Sequence, residues 1–149
     1  MALALFCSMC AAFESMGTQL RPGRQIAVWR GKRFERALWG GFARSERLPW
    51  WKEKGCIPVD IPAARFAERS HRDGKLHWGD VPEGWVIRGL WDPSGSVPQV
   101  LVVTRPATYQ EQESFGHDRM PLLEAPLYSC VPIAPEPAPD GKPSQMELF

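Results

Sequence analysis

The chain has 149 residues and a formal net charge of +1, which is enough length for one domain with a buried core. Its apolar stretches are too short for a transmembrane helix, and the apolar start, residues 1–13, lacks the basic region and cleavage site of a secretory signal. We therefore expect a cytoplasmic protein that does not enter a membrane and that keeps its four cysteines reduced.

Short strands separated by glycine and proline dominate the predicted elements. A turn of helix is predicted for residues 10–16, and a second short helix for residues 106–114, where Pro106 would take the first position. The apolar run Val100–Val103 predicts a core strand covered on both faces. Strands are predicted for residues 25–30, 34–39, 85–91 and 99–104. The expected fold class is α+β, with mainly antiparallel, curved, barrel-like sheets.

The composition changes near the C-terminus. Residues 132–144 are rich in proline and polar residues, which predicts an extended tether that cannot bury a core. We expect a domain at residues 10–133, an N-terminal extension at residues 1–9 and a tail at residues 134–149. The tail ends in Gln145-Met-Glu-Leu-Phe149, which resembles the peptide that bacterial repair proteins dock on the sliding clamp. Leu148 and Phe149 would fill an apolar pocket while Gln145 makes polar contacts.

Positive charge is concentrated in one part of the chain. Residues 21–75 hold 14 Lys or Arg and 6 Asp or Glu, a local charge of +8, whereas residues 76–149 carry −6. The basic part also contains Trp29, Trp39, Trp50 and Trp51. Cations interleaved with aromatic rings suit a groove for single-stranded nucleic acid. A solvated basic face over a tryptophan-rich core is the alternative.

The pentapeptide His117-Asp118-Arg119-Met120-Pro121 combines an imidazole, a carboxylate and a guanidinium in one turn. His117 could transfer protons near neutral pH, with Asp118 or a backbone group orienting its ring. Arg119 could hold a phosphate, although a structural ion pair with Asp118 is equally compatible with the sequence.

Several short motifs in chain order, ending in this pentapeptide, resemble the SOS-response-associated peptidase family, the abasic-site processing proteins. The resemblance covers roughly residues 9–133. Its other motifs are Met9-Cys10, residues 20–28, Leu38-Trp-Gly-Gly41, Pro49-Trp50-Trp51, Cys56-Ile-Pro58, Arg65-Phe-Ala-Glu68, Gly89-Leu-Trp91 and the valine-rich run that ends at Thr104.

The resemblance implies a monomeric sensor of abasic sites in single-stranded DNA that acts in the DNA damage (SOS) response, near the nucleoid. Cys10 would become N-terminal and trap the sugar aldehyde as a thiazolidine, Glu68 would accept a proton from its amine, and His117 would protonate the sugar oxygen. The implied DNA-binding residues are Arg24, Trp39, Trp50, Trp51, Arg65 and Arg119. No cofactor is implied. No metal site is predicted either, since no second motif completes the Cys-x-x-Cys spacing of Cys7 and Cys10.

The chain departs from the family pattern in three places. Ala11 and Ala12 follow Cys10 in place of glycine and arginine, eight residues precede Met9, and the segment with an active-site asparagine is missing between Trp51 and Cys56. Two alternatives therefore stay open. Besides the abasic-site sensor, the chain could be a noncatalytic DNA-binding and clamp-binding module, or a thiol autopeptidase that removes residues 1–9 and exposes Cys10. Translation that begins at Met9 would expose Cys10 without such a cleavage, since residues 1–8 would then not be translated.

Overall fold

The computed structural model describes residues 11–128, which form two β-sheets and two short α-helices. None of the described helices is long and apolar enough to cross a membrane. The helices are α1 (Leu48–Glu53) and α2 (Tyr109–Phe115), and a 3-10 turn (Ser45–Arg47) precedes α1. The strands are β1 (Ala12–Ser15), β2 (Thr18–Leu20), β3 (Gln25–Arg30), β4 (Arg33–Arg44), β5 (Ile57–Ile61), β6 (Arg65–Arg69), β7 (Leu76–Asp80), β8 (Val86–Asp92), β9 (Gln99–Pro106), β10 (Arg119–Pro121) and β11 (Leu123–Glu124).

The larger sheet has seven strands in the order β10-β9-β4-β3-β5-β8-β11, and β8 also pairs with β9. Strands β9, β4, β3, β5 and β8 therefore pair in a closed circuit, as in a small barrel. All pairs are antiparallel except β4 with β9, which is parallel. Val100–Val103 in β9 are all buried, which confirms the predicted core strand.

The smaller sheet has four antiparallel strands in the order β2-β1-β6-β7. The predicted helix at residues 10–16 is wrong where the chain is described, because Ala12–Ser15 form strand β1. This strand lies between β2 and β6, and its Ala12 and Phe13 are buried. Pairing on both edges outweighs the weak local preference of Ala11 and Ala12 for helix.

Helix α2 and the loop after it lie against the smaller sheet. Thr108 and Glu111 form a reciprocal capping box at the start of α2, and Gly116 ends it in the left-handed conformation at φ 67°. The predicted helix began too early, because Pro106 ends β9 and Thr108 is the cap. Phe115 packs on Phe66 of β6, with ring centroids 5.5 Å apart. This contact holds the loop that begins at Gly116 near the centre of the smaller sheet.

The expected sheet-rich α+β class is confirmed, with a mixed larger sheet and few helical residues. The predicted strands at residues 25–30, 34–39, 85–91 and 99–104 are observed, the second as part of the longer β4. The predicted extension at residues 1–9, the domain end at residue 133 and the tail at residues 134–149 lie outside the described residues.

Candidate active site

Glu68 and His117 meet between the smaller sheet and the loop after α2. Glu68 lies on β6, directly opposite His77 of β7, and His117 follows Gly116. Both side chains are fully buried, and His117 Nδ1 lies 3.9 Å from Glu68 Oε1. A buried carboxylate and imidazole at this separation can act as a paired proton acceptor and donor once a substrate draws them together.

The main chain of Arg119 orients the His117 ring. His117 Nδ1 lies 3.0 Å from both the amide nitrogen and the carbonyl oxygen of Arg119. Asp118 Oδ1 is farther, at 3.6 Å, and the Asp118 side chain is 70% exposed. Of the two predicted ways to orient the imidazole, the backbone contact is therefore the one with hydrogen-bond geometry.

Arg119, a predicted DNA-binding residue, is held in an internal network of hydrogen bonds. Its side chain is only 6% exposed and forms a bidentate pair with Glu46, at 2.7 and 2.9 Å. The guanidinium also donates to the side chain and carbonyl oxygen of Thr104. The partner of Arg119 is thus Glu46 rather than Asp118, and a phosphate would have to displace a complete set of acceptors.

The ion pair between Arg119 and Glu46 connects the loop that carries His117 to helix α1. Glu46 lies in the 3-10 turn that leads into α1, which carries Trp50 and Trp51. The hydrogen bond from Arg119 holds the pKa of Glu46 well below its ordinary value, at about 2. The paired charges therefore fix the position of α1 relative to the loop that carries His117 at neutral pH.

Trp50 is the exposed aromatic residue of α1. Its side chain is 42% exposed, and the cations of Arg47 and Lys54 lie 5.0 and 4.8 Å from its ring centroid. Trp51 is half-buried and contacts Trp50 edge-to-face at 4.8 Å. An exposed ring flanked by two cations suits the stacking of a base whose phosphates lie beside the charges.

Trp39, another predicted DNA-binding residue, lies in the core rather than on this surface. The ring is fully buried, packs on Phe13 at a centroid distance of 4.7 Å and donates its N–H to the Gly41 carbonyl oxygen. The register of β4 against β9 shifts between Trp39 and Gly41, and this bulge turns the ring into the core. Trp39 thereby joins the smaller sheet to the larger one.

The remaining described DNA-binding candidates are exposed to different degrees. Arg24 is exposed in the turn before β3. Arg65 is 43% exposed, lies over the Trp78 ring at 4.7 Å and approaches Glu14 at 3.5 Å. Arg65 therefore lies on the same strand as Glu68, three residues before it, with its charge near the surface.

The predicted residues Cys10, Gln145, Leu148 and Phe149 lie outside the described residues. The described chain starts at Ala11, whose N–H donates to the Ala67 carbonyl oxygen at 2.9 Å. Cys56 is buried and forms no disulfide, and burial raises the pKa of its thiol. It is not a candidate nucleophile in this environment.

Comparisons with known proteins do not assign the chain to a family. No family model matches it, and a search of curated proteins finds no match.

Two residues that contact the candidate site were not predicted from the sequence. Glu46 is 73 positions from Arg119 and has no local pattern that marks it as its partner. The His71 ring lies against the His117 ring, with centroids 4.5 Å apart and planes tilted by 47°, although His71 follows β6 and His117 follows α2. The polar run at residues 70–78 contains His71 but gave no reason to prefer it over His77.

Proposed function

We propose that the protein captures abasic sites in single-stranded DNA as a covalent thiazolidine on Cys10, with Glu68 and His117 as the acid/base pair. The observation that carries the proposal is the convergence of these two side chains at 3.9 Å in a fully buried position. The two residues belong to sequence motifs that lie far apart in the chain.

The described chain begins near Glu68. Its first described residue, Ala11, is hydrogen-bonded to Ala67, the residue before Glu68 on β6. The proposal requires that residues 1–9 are removed or not translated, so that Cys10 has a free α-amine from which Glu68 can accept a proton.

The chemistry needs one proton acceptor and one proton donor. His117 protonates the sugar ring oxygen while the anomeric hydroxyl releases its proton to water, which opens the ring to the aldehyde, and Glu68 takes a proton from the Cys10 ammonium. The amine then attacks the aldehyde carbon, and water leaves to give an imine. The thiol adds to the imine carbon while its proton passes to nitrogen, which closes the five-membered ring with a net loss of one water.

Trp50 and its two cations support the binding of single-stranded DNA. Aromatic stacking is worth about 1–3 kcal/mol per base and tolerates any sequence, while the cations of Arg47 and Lys54 attract phosphates. The exposed Arg24 and Arg65 add positive charge on other surface segments. We further propose that the terminal peptide with Gln145, Leu148 and Phe149 docks the protein on the sliding clamp.

A noncatalytic DNA-binding module is the second candidate function. The connection from α1 to β5 consists only of Lys54, Gly55 and Cys56, so it has no room for an asparagine-bearing segment. In this alternative, Trp50 still binds single-stranded DNA, but no covalent product forms.

The two candidates differ in one measurable product. Protein that begins at Cys10 is incubated with single-stranded DNA containing one abasic site, and denaturing electrophoresis measures the adduct. We expect the adduct to disappear with Cys10→Ser, to form at least about tenfold more slowly with Glu68→Gln, and to be unchanged with Glu83→Gln, an exposed carboxylate. If the unsubstituted protein that begins at Cys10 forms no adduct, the result would support the noncatalytic module.

A further inference from the structure

A second chemical feature lies at the surface side of His117. One ligand-type atom from each of His71, His117 and Asp118 lies within 4.8 Å of the others. His117 is buried, whereas His71 and Asp118 are exposed. Two imidazoles and one carboxylate form a donor set that is typical of zinc and related divalent metals.

Main-chain contacts hold the two histidines together. The His71 N–H donates to the Gly116 carbonyl oxygen at 2.7 Å, directly before His117. Gly116 has a positive φ, and a Cβ there would collide with the Ser70 side chain, so the close approach of these segments requires glycine. The pairing of His71 with His117 is therefore built into the backbone.

Arg72 fixes the same turn from its other side. Its guanidinium donates to the carbonyl oxygens of Gln112 and Glu113, at 3.1 and 2.7 Å, near the end of α2. The turn that carries His71 is thus attached both to the helix and to the residue that ends it. Because the turn is already ordered, binding a ligand there costs less conformational entropy.

The distances require only a small adjustment to hold an ion. Two donor atoms bound to tetrahedral zinc at about 2.0–2.1 Å are about 3.3 Å apart, so the present separations must close by up to about 1.5 Å. The exposed side chains of His71 and Asp118 can rotate toward the ring of His117. That ring is held by the Arg119 main chain, a contact of the kind that orients metal-bound imidazoles.

We propose that His71, His117 and Asp118 bind a divalent transition-metal ion, with zinc as the best match. Three protein ligands leave a fourth position of a tetrahedral ion open to water or another ligand. Metal binding itself does not depend on the proposed DNA chemistry. If that chemistry occurs, the ion competes with it, because the imidazole nitrogen that binds the ion cannot also carry a proton to the sugar.

Cobalt(II) titration of the full-length protein tests the site directly, without DNA. The visible absorption of bound cobalt reports the ligand geometry, and displacement by Zn²⁺ gives the zinc affinity. We expect His71→Ala and Asp118→Asn each to weaken binding by at least about tenfold. The matched control is His77→Ala, because His77 is a surface histidine that contacts a carboxylate, that of Asp73 at 3.1 Å, outside this cluster.

The outcomes separate the proposal from its alternatives. Selective loss of cobalt absorption in His71→Ala and Asp118→Asn, with His77→Ala unaffected, supports the site. Absence of binding by the unmodified protein, or binding that survives both substitutions, overturns it. Circular dichroism of each variant checks the fold. Because His71 and Asp118 are exposed and His77 is partly exposed, we expect all three proteins to remain folded. Failure to form a DNA adduct would leave this result unaffected.

Discussion

Arg119→Met distinguishes a structural role for this arginine from a phosphate-binding role. The substitution keeps much of the apolar stem but removes five hydrogen-bond donors from a side chain that is 6% exposed. Thr104, which is fully buried, loses the partner of its hydroxyl and of one carbonyl contact. Buried polar groups left without a partner cost about 1–3 kcal/mol.

The expected loss is smaller than that for breaking a fully buried ion pair, which is about 3–5 kcal/mol. Glu46 is 48% exposed and can regain water when Arg119 is removed. We therefore expect the free energy of unfolding to fall by about 1–3 kcal/mol, the cost of leaving the buried Thr104 groups without a partner.

Urea unfolding followed by tryptophan fluorescence measures this change. Arg105→Met is the matched control, because Arg105 forms a similar bidentate pair with Glu111 but is 29% exposed. We expect the control to lose no more than about 1 kcal/mol. Unchanged stability in Arg119→Met, together with weaker DNA binding and a salt dependence reduced by about one phosphate contact, would refute the structural role.

Three further predictions follow from the site. The Arg119 hydrogen bond lowers the pKa of Glu46 from 4.5 to about 2, so the pair stabilises the fold above pH 4.5 and loses this contribution as the pH falls toward 2. The free energy of unfolding in urea should therefore depend less on pH across this range in Glu46→Gln than in the unmodified protein. The same pH dependence in both proteins would contradict this linkage. Trp50→Ala should weaken the binding of single-stranded DNA by about 1–3 kcal/mol in a fluorescence anisotropy titration. Trp85→Ala should not weaken it, although it removes a ring that is exposed to a similar extent, 46%. Equal losses of affinity in the two variants would argue against a stacking role specific to Trp50. Zn²⁺ should slow adduct formation, and a chelator or His71→Ala should relieve this inhibition; inhibition that persists in His71→Ala would place the metal elsewhere.

The strands were predictable because their signals are local. Val100–Val103 form a continuous apolar run, and β3 and β4 are separated by a Gly-Lys turn that forces a hairpin. Short segments were less predictable. Residues 12–15 form a strand because β2 and β6 pair with them, and α1 has only six residues, too few to establish a helical period.

Two residues of the candidate site could be singled out from the sequence, but their neighbours could not. Glu68 and His117 were found from motifs, and their separation of 3.9 Å depends on the packing of Phe115 against Phe66, which no local pattern encodes. Trp39 and Arg119 were assigned to DNA because tryptophan and arginine suit that role in general. Their burial depends on the bulge in β4 and on Glu46, which are tertiary features.

The most direct test of the account is the mass of the covalent product and the residue that carries it. Protein beginning at Cys10 is reacted with abasic single-stranded DNA, digested with nuclease and protease, and analysed by tandem mass spectrometry. Cys56→Ser is the matched control, because it removes an internal, buried thiol. The account predicts a sugar fragment attached at residue 10, with the mass of a condensation that loses one water, in both the unmodified and the Cys56→Ser protein. A fragment attached to any other residue, or none at all, would contradict it.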